Sequence, residues 1–273
     1  MISYILKLWY LVRHRGVNRK LSMADHKRDN SDRSLDEKYA FVVILTQFKR
    51  SNLKLQLQAI QRQTLAPDAI FVVQNGSYID ITEERNHYQF HHIHNHYNTK
   101  YFGRFSFCLG ISADQVIVMD DDIIPGERCF EHYLSELQRL NGIIGGNGRL
   151  SVLNTNREQL NTPPDTGVRE ASVLVDFVGH LWCFKHEWLR AMFSIKPHTL
   201  DTGEDMHFCF SAKEVLNVPS YTASQSSRAQ MCDTSENVLG TDQYASFKKT
   251  PDANRVAVEK YFLERGLIFV EKN

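Results

Sequence analysis

Three short, almost wholly apolar runs set the limits on how this chain can fold: residues 40–45 (AFVVIL), 69–73 (AIFVV) and 115–119 (QVIVM, polar only at Gln115). A strand with one wet face alternates polar and apolar side chains. A run without alternation has to be covered on both faces, as strands of parallel α/β sheets are. Between the first two runs Leu53, Leu57 and Ile60 recur at helical spacing, so residues 51–63 read as an amphipathic helix. Pro67-Asp68 and Asn75-Gly76-Ser77 punctuate the chain as turns. Residues 89–94 give a weaker strand and 101–113 a helix. Alternating strands and helices at these intervals imply right-handed crossovers and an open, mostly parallel sheet flanked by helices. Ligands of such sheets bind beyond the C-terminal ends of the strands.

The second half is less regular. Residues 129–140 read as a helix, 143–148 as a glycine-containing strand, and 171–178 and 181–184 as strands. Residues 154–167 are a polar loop with two prolines. A helix is expected from Gly203 to about residue 215, a polar loop over 222–250, and a closing helix over 256–265. The 32 basic and 32 acidic residues cancel, which argues against a nucleic-acid binder that relies on an overall basic field. The five cysteines are widely spaced with no CxxC pair, so free thiols in a reducing, cytoplasmic setting are expected. Residues 1–38 are expected to form a basic N-terminal segment and linker, and 39–273 a single domain. The first twelve residues are apolar and followed by Arg13, Arg15, Arg19 and Lys20. That segment either makes peripheral contact with an anionic membrane or docks on the domain.

The strongest chemical signal is Asp120-Asp121-Asp122, directly after the third apolar run. Three adjacent carboxylates at a strand tip repel one another, and a divalent cation offsets them. Mg²⁺ or Mn²⁺ prefers such oxygen ligands and keeps positions open for water and phosphate. The plain alternative is a solvated acidic turn.

VIVMDDD resembles the DxD motif of nucleotide-sugar glycosyltransferases with the GT-A fold, a Rossmann-like nucleotide-diphospho-sugar transferase architecture. FVVILTQFKR and AIFVVQNGS are similar to that family's first two strands. Gly145-Gly146-Asn147-Gly148-Arg149 with VDFVGHLWCFKHEWL resembles its acceptor-side strand pair, and TGEDMHFCFSAK its xED helix. The NGS turn is closer to family 2, the GED segment to the exostosin-like family 64. The resemblance spans residues 39–221. It implies Asp122 as the ligand of a metal, Mn²⁺ or Mg²⁺, that bridges the donor diphosphate. It implies nucleotide-sugar contacts at Thr46, Asn75, Lys100, Arg104, Asp120 and Asp121, and acceptor contacts at Gly179, His180 and Trp182. Asp205 is the implied base and Glu204 its partner toward acceptor or sugar hydroxyls.

The reaction so implied moves a sugar from a nucleoside-diphosphate donor, expected to be UDP-linked, to a hydroxyl of a glycan, glycolipid or glycoprotein; family 2 inverts and family 64 retains the anomeric configuration, and of the two inversion is favoured. Two competitors belong to other classes. A sugar-phosphate nucleotidyltransferase needs a glycine-rich basic signature, which TQFKRSN lacks. A non-catalytic binding module on the same fold would hold nucleotide without turnover. The simpler reading of Glu204 and Asp205 is as first-turn acids on the helix dipole. His92, His94 and His96 share a strand face without a carboxylate or cysteine to complete a metal set. Gln225-Ser226-Ser227-Arg228 faintly resembles a QxxRW motif without its tryptophan, which leaves Arg228 as a further candidate diphosphate contact. His186 and His207 read as ligands or solvated side chains.

Overall fold

The computed structural model describes residues 38–151, 153, 168–234 and 252–270. The N-terminal segment, the two-proline loop and most of the 222–250 loop lie outside them. The chain forms an eight-stranded open sheet flanked by helices, the α/β architecture that the GT-A resemblance implies.

Strands β1 (Tyr39–Gln47), β2 (Ala69–Asn75) and β4 (Ala113–Met119) contain three of the predicted early strands, and β3 (His91–Asn95) overlaps the fourth, starting two residues later than the predicted 89–94. They pair in parallel in the order β3-β2-β1-β4. The reason is the one legible in the sequence. Val42 to Leu45 and Val116 to Met119 are sealed from solvent on both faces, and burying each such side chain is worth about 2 kcal/mol. Helix α1 (Leu53–Gln61) joins β1 to β2, α2 (Thr82–His87) leads to β3, and α3 (Phe102–Cys108) leads to β4. Helix α3 is shorter than the predicted 101–113, because the chain turns through Gly110 and is already back in the sheet at Ala113.

Beyond β4 the sheet is mixed. Helix α4 (Cys129–Leu140) leads to β5 (Ile143–Arg149), followed by β6 (Val173–Val175) and β7 (Phe177–Lys185). Strand β7 lies antiparallel between β4 and β5. The single strand expected over 171–178 is broken at Asp176. Its carboxylate accepts hydrogen bonds from the backbone N–H of Ser151 (2.8 Å) and Val270 (2.7 Å), which turns the chain from one strand into the next. Helices α5 (Leu189–Ser194), α6 (Glu204–Leu216) and α7 (Asp252–Glu264) and strand β8 (Ser220–Thr222) complete the described chain. Strand β8 runs parallel to β5 and antiparallel to β6.

The core is continuous across the sheet. Phe105 of α3 meets Trp182 and Phe184 of β7 and Phe208 of α6, ring centroids 5.5, 6.3 and 5.5 Å apart. The five cysteines are free and buried. No helix among the described residues is long and apolar enough to cross a membrane.

Candidate active site

Strand β4 ends at Met119 and delivers Asp120, Asp121 and Asp122 to the edge of the sheet. Their backbone is fixed from two sides. The Asp120 N–H donates to the carbonyl of His180 on β7 (3.0 Å), and Gln56 of α1 donates its amide to the carbonyls of Asp120 (2.7 Å) and Ile123 (3.0 Å). Asn52 donates to the Asp121 carbonyl (3.1 Å). Gln56 lies on the same helical face as Leu53, Leu57 and Ile60. A polar residue at an apolar position of an amphipathic helix is the signal that sequence reading passed over.

Two arginines answer the three carboxylates. Arg50, just after β1, bonds Asp121 and reaches Asp122 at 3.2 Å. Arg104 of α3 is buried; one terminal nitrogen bonds Asp120 and the other donates to Glu204 at 2.9 Å. Its guanidinium lies 4.6 Å from the Trp182 ring, a cation–π contact. Arg104 therefore ties the tip of β4 to the start of α6. Burial and the neighbouring carboxylates leave uneven protonation. Burial, then Asp120 and Asp121, push Asp122 up to about 6 against the pull of Arg50. Burial, then Asp205 and Asp120, push Glu204 up to about 7 against the pull of Arg104. Burial also raises Asp121 and, with Glu204 and Asp120, raises Tyr101.

The N-terminus of α6 supplies the second acidic pair. Gly203 caps it at φ 77°, a left-handed conformation that glycine takes without cost. Asp205 accepts from Arg255 of α7 at 2.6 Å and from the Met206 N–H at 2.8 Å. Arg255 was not singled out in the sequence, where it lies fifty residues away at the edge of an unremarkable helix. Nothing in the linear pattern marked it.

The other predicted residues fall as follows. Thr46 lies at the end of β1 with its hydroxyl oxygen buried and without a partner. Asn75 is committed to the fold: its side-chain oxygen accepts from Thr99 Oγ1 (2.8 Å) and Asn95 (3.1 Å). Lys100 pairs with Asp201 in an exposed bridge, which is worth little. Gly179 and His180 are partly exposed on β7. His180 has φ 66°, unusual for a residue with a Cβ. Trp182 is 1% exposed beneath Arg104; in this arrangement it supports the guanidinium instead of presenting a face to a sugar.

The weaker candidates have structural roles. His186 and His207 donate to the carbonyls of Cys108 and Met192, each at 2.8 Å. Arg228 reaches the Thr234 carbonyl at 3.3 Å. On β3, His92 bonds Gln74 (2.8 Å) and His94 bonds Ser77 (3.1 Å).

Among the described residues no group of three or more His, Cys, Asp or Glu side chains has the arrangement of a metal centre. The tip of β4 offers a smaller donor set. The Asp122 side chain is 41% exposed and sits in the negative potential of Asp120 and Asp121. Such a set fits a hard cation that takes one or two protein carboxylates and completes its shell with water and phosphate oxygens.

No protein-family profile and no curated protein matches the chain. Similar solved structures include S. aureus TarS, at 16% identity over 70% of this chain and 37% of that one, TM-score 0.48. They also include TarS 1–349, at 15% identity over 69% and 60%, and TarS 1–349 in complex with UDP, at 14% identity over 69% and 61%, both with TM-score 0.48. Each match spans less than two thirds of the TarS chain.

Proposed function

We propose that the chain is a glycosyltransferase that moves a sugar from a nucleoside-diphosphate donor, UDP-linked, to a hydroxyl acceptor. The observation that carries this reading is the Arg104 bridge, which joins Asp120 at the β4 tip to Glu204 at the start of α6. It makes one site of the two acidic motifs, which are far apart in sequence.

Asp122 would hold a divalent cation, Mn²⁺ or Mg²⁺, together with the donor diphosphate. When bound, the ion supplies Lewis-acid stabilisation of the leaving diphosphate. Asp120 and Asp121, held by Arg104 and Arg50, face the nucleoside and sugar hydroxyls. Asp205 takes the proton of the acceptor hydroxyl as it attacks the anomeric carbon. Arg255 holds the Asp205 carboxylate in one orientation, and the α6 dipole favours its charge. Glu204, raised to about 7 by burial and Asp205, can donate to a sugar hydroxyl when protonated and accept from one when ionised. Attack from the face opposite the diphosphate gives inversion.

The test is a panel of nucleotide sugars incubated with Mn²⁺ and assayed for donor hydrolysis. One UDP-sugar should be hydrolysed, and Asp122→Ala should abolish turnover while the far-UV spectrum stays unchanged. Retention of near-normal turnover by that variant would overturn the metal assignment. UDP binding with no sugar released from any donor would mark a binding module.

A further inference from the structure

Away from the acidic tip, the β5–β7 ladder slips register: Gly145 pairs with Trp182 and Asn147 with Gly179, so β7 carries a bulge at His180 and Leu181 opposite Gly146. Arg169 lies against that bulge. It is 5% exposed, and one of its terminal nitrogens donates to the Gly146 carbonyl at 2.5 Å. Its Nε and its other terminal nitrogen are buried and have no partner, and no carboxylate pairs with it among the described residues. A buried guanidinium without an anion is expensive.

The surrounding donors are unspent as well. Arg169 and Gln225 pair through both backbone hydrogen bonds, 3.0 and 2.8 Å, so their side chains stand on the same face. Gln225 is buried; its carbonyl oxygen accepts from the Cys232 N–H at 2.9 Å, but its amide nitrogen has no partner. His180 Nδ1 is also buried and unpartnered. Arg169 reaches Gly146 through its carbonyl, His180 faces the glycine directly, and Gln225 adjoins it through Cys232. An added Cβ there would meet Cys232 Sγ at 2.1 Å and His180 Cβ at 3.6 Å. The backbone of His180 is bonded to Asp120, so this donor cluster adjoins the proposed reaction site on its acceptor side.

We propose that Arg169, with Gln225 and His180, binds an anionic group of the acceptor substrate, a phosphate or a carboxylate. The guanidinium fork matches the geometry of either oxyanion. The proposal rests on the glycosyltransferase reading for the word acceptor, but not for the anion site itself.

The experiment is calorimetric titration of the full chain with inorganic phosphate and, separately, with acetate, at constant ionic strength. Mg²⁺ and saturating UDP are present to fill the donor site. At least one anion should bind wild-type protein, and the tighter of the two identifies the acceptor's group. Arg169→Met should weaken that binding about tenfold or more, and Gln225→Leu several-fold. Arg169→Lys, which keeps the charge and loses the fork, should fall between. UDP affinity should stay the same in all three. Failure of both anions to bind, or equal binding by wild type and Arg169→Met, overturns the proposal. Loss of UDP binding in wild type with Arg169-dependent anion binding intact would remove the glycosyltransferase reading and leave the anion site standing.

Discussion

Replacing Arg104 by Met asks whether the guanidinium holds the two acidic segments together. Met keeps an apolar stem over Trp182 and removes the charge. The variant leaves Glu204 buried without its cation and takes a partner from Asp120. Removing one member of a buried pair costs about 3–5 kcal/mol, and the lost cation–π contact adds about 1 kcal/mol. The cost depends on pH because Glu204 can escape by taking up a proton. In the wild type its folded value is about 7 against the ordinary 4.5. A carboxyl raised in the folded state favours folding while protonated, and that stability is lost as pH rises from the unfolded value through the folded one. Without Arg104 the folded value rises further, so the loss continues to higher pH. At about pH 5.5 Glu204 is mostly protonated in both folded proteins, and the variant should cost only about 1–2 kcal/mol; at about pH 8 the full loss should appear. Urea denaturation followed by tryptophan fluorescence at both pH values measures this. The double variant Arg104→Met/Glu204→Gln should recover most of the deficit at the higher pH. An equal deficit at both values, with no recovery, would refute the ion-pair account.

Two more perturbations test the surroundings. Gly146→Ala would place a Cβ 2.1 Å from Cys232 Sγ. It should destabilise by about 1–3 kcal/mol, and Cys232→Ala in the same chain should restore much of the loss in thermal melts. Arg255→Ala releases the Asp205 carboxylate. It should lower kcat for sugar transfer by roughly ten- to a hundredfold with little change in the donor KM, and Arg255→Lys should recover part. An unchanged kcat would remove Arg255 as a positioning residue.

The parallel half of the sheet was legible because its strands are buried on both faces, and continuous apolar runs have few other uses. The mixed half was less so. Strand β8 has only three residues, Ser220–Thr222, and two of them are polar. It exists because β5 and β6 flank it, a tertiary cause with no local signature. The break at Asp176 depends on N–H groups of Ser151 and Val270, distant in sequence. The candidate site divides in the same way. Its acids stand in two compact motifs that a reader can find. Of the arginines that answer them, Arg50 and Arg104 lie in segments already suspect, whereas Arg255 arrives on the last described helix. The burial of Trp182 under Arg104 was not legible, because a tryptophan beside a site can face either the ligand or the protein, and its register is set by pairing with β4.

The charges of the site make a prediction about metal. Five carboxylates converge, from Asp120, Asp121, Asp122, Glu204 and Asp205, and three guanidiniums pair with them, from Arg50, Arg104 and Arg255. Among the described residues, these arginines balance three of the five negative charges. Protonation relieves the negative charge only in part near neutral pH, since Asp122 sits at about 6 and Glu204 at about 7. A nucleoside diphosphate brings further negative charge into the same space, and repulsion between unit charges 4 Å apart is about 4 kcal/mol at the effective dielectric of a protein surface. On the proposed reading, a cation would be a condition of donor entry as well as an aid to the leaving group. UDP titrated into the full chain with EDTA should bind at least about a hundredfold more weakly than with Mg²⁺. The gap should narrow as pH falls from about 8 to about 5.5, because protons replace part of the metal's charge. In Asp122→Ala the metal dependence should shrink at every pH. UDP affinity indifferent to EDTA in the wild type would mean that Arg50 and Arg104 suffice for the diphosphate and that Asp122 serves some other purpose.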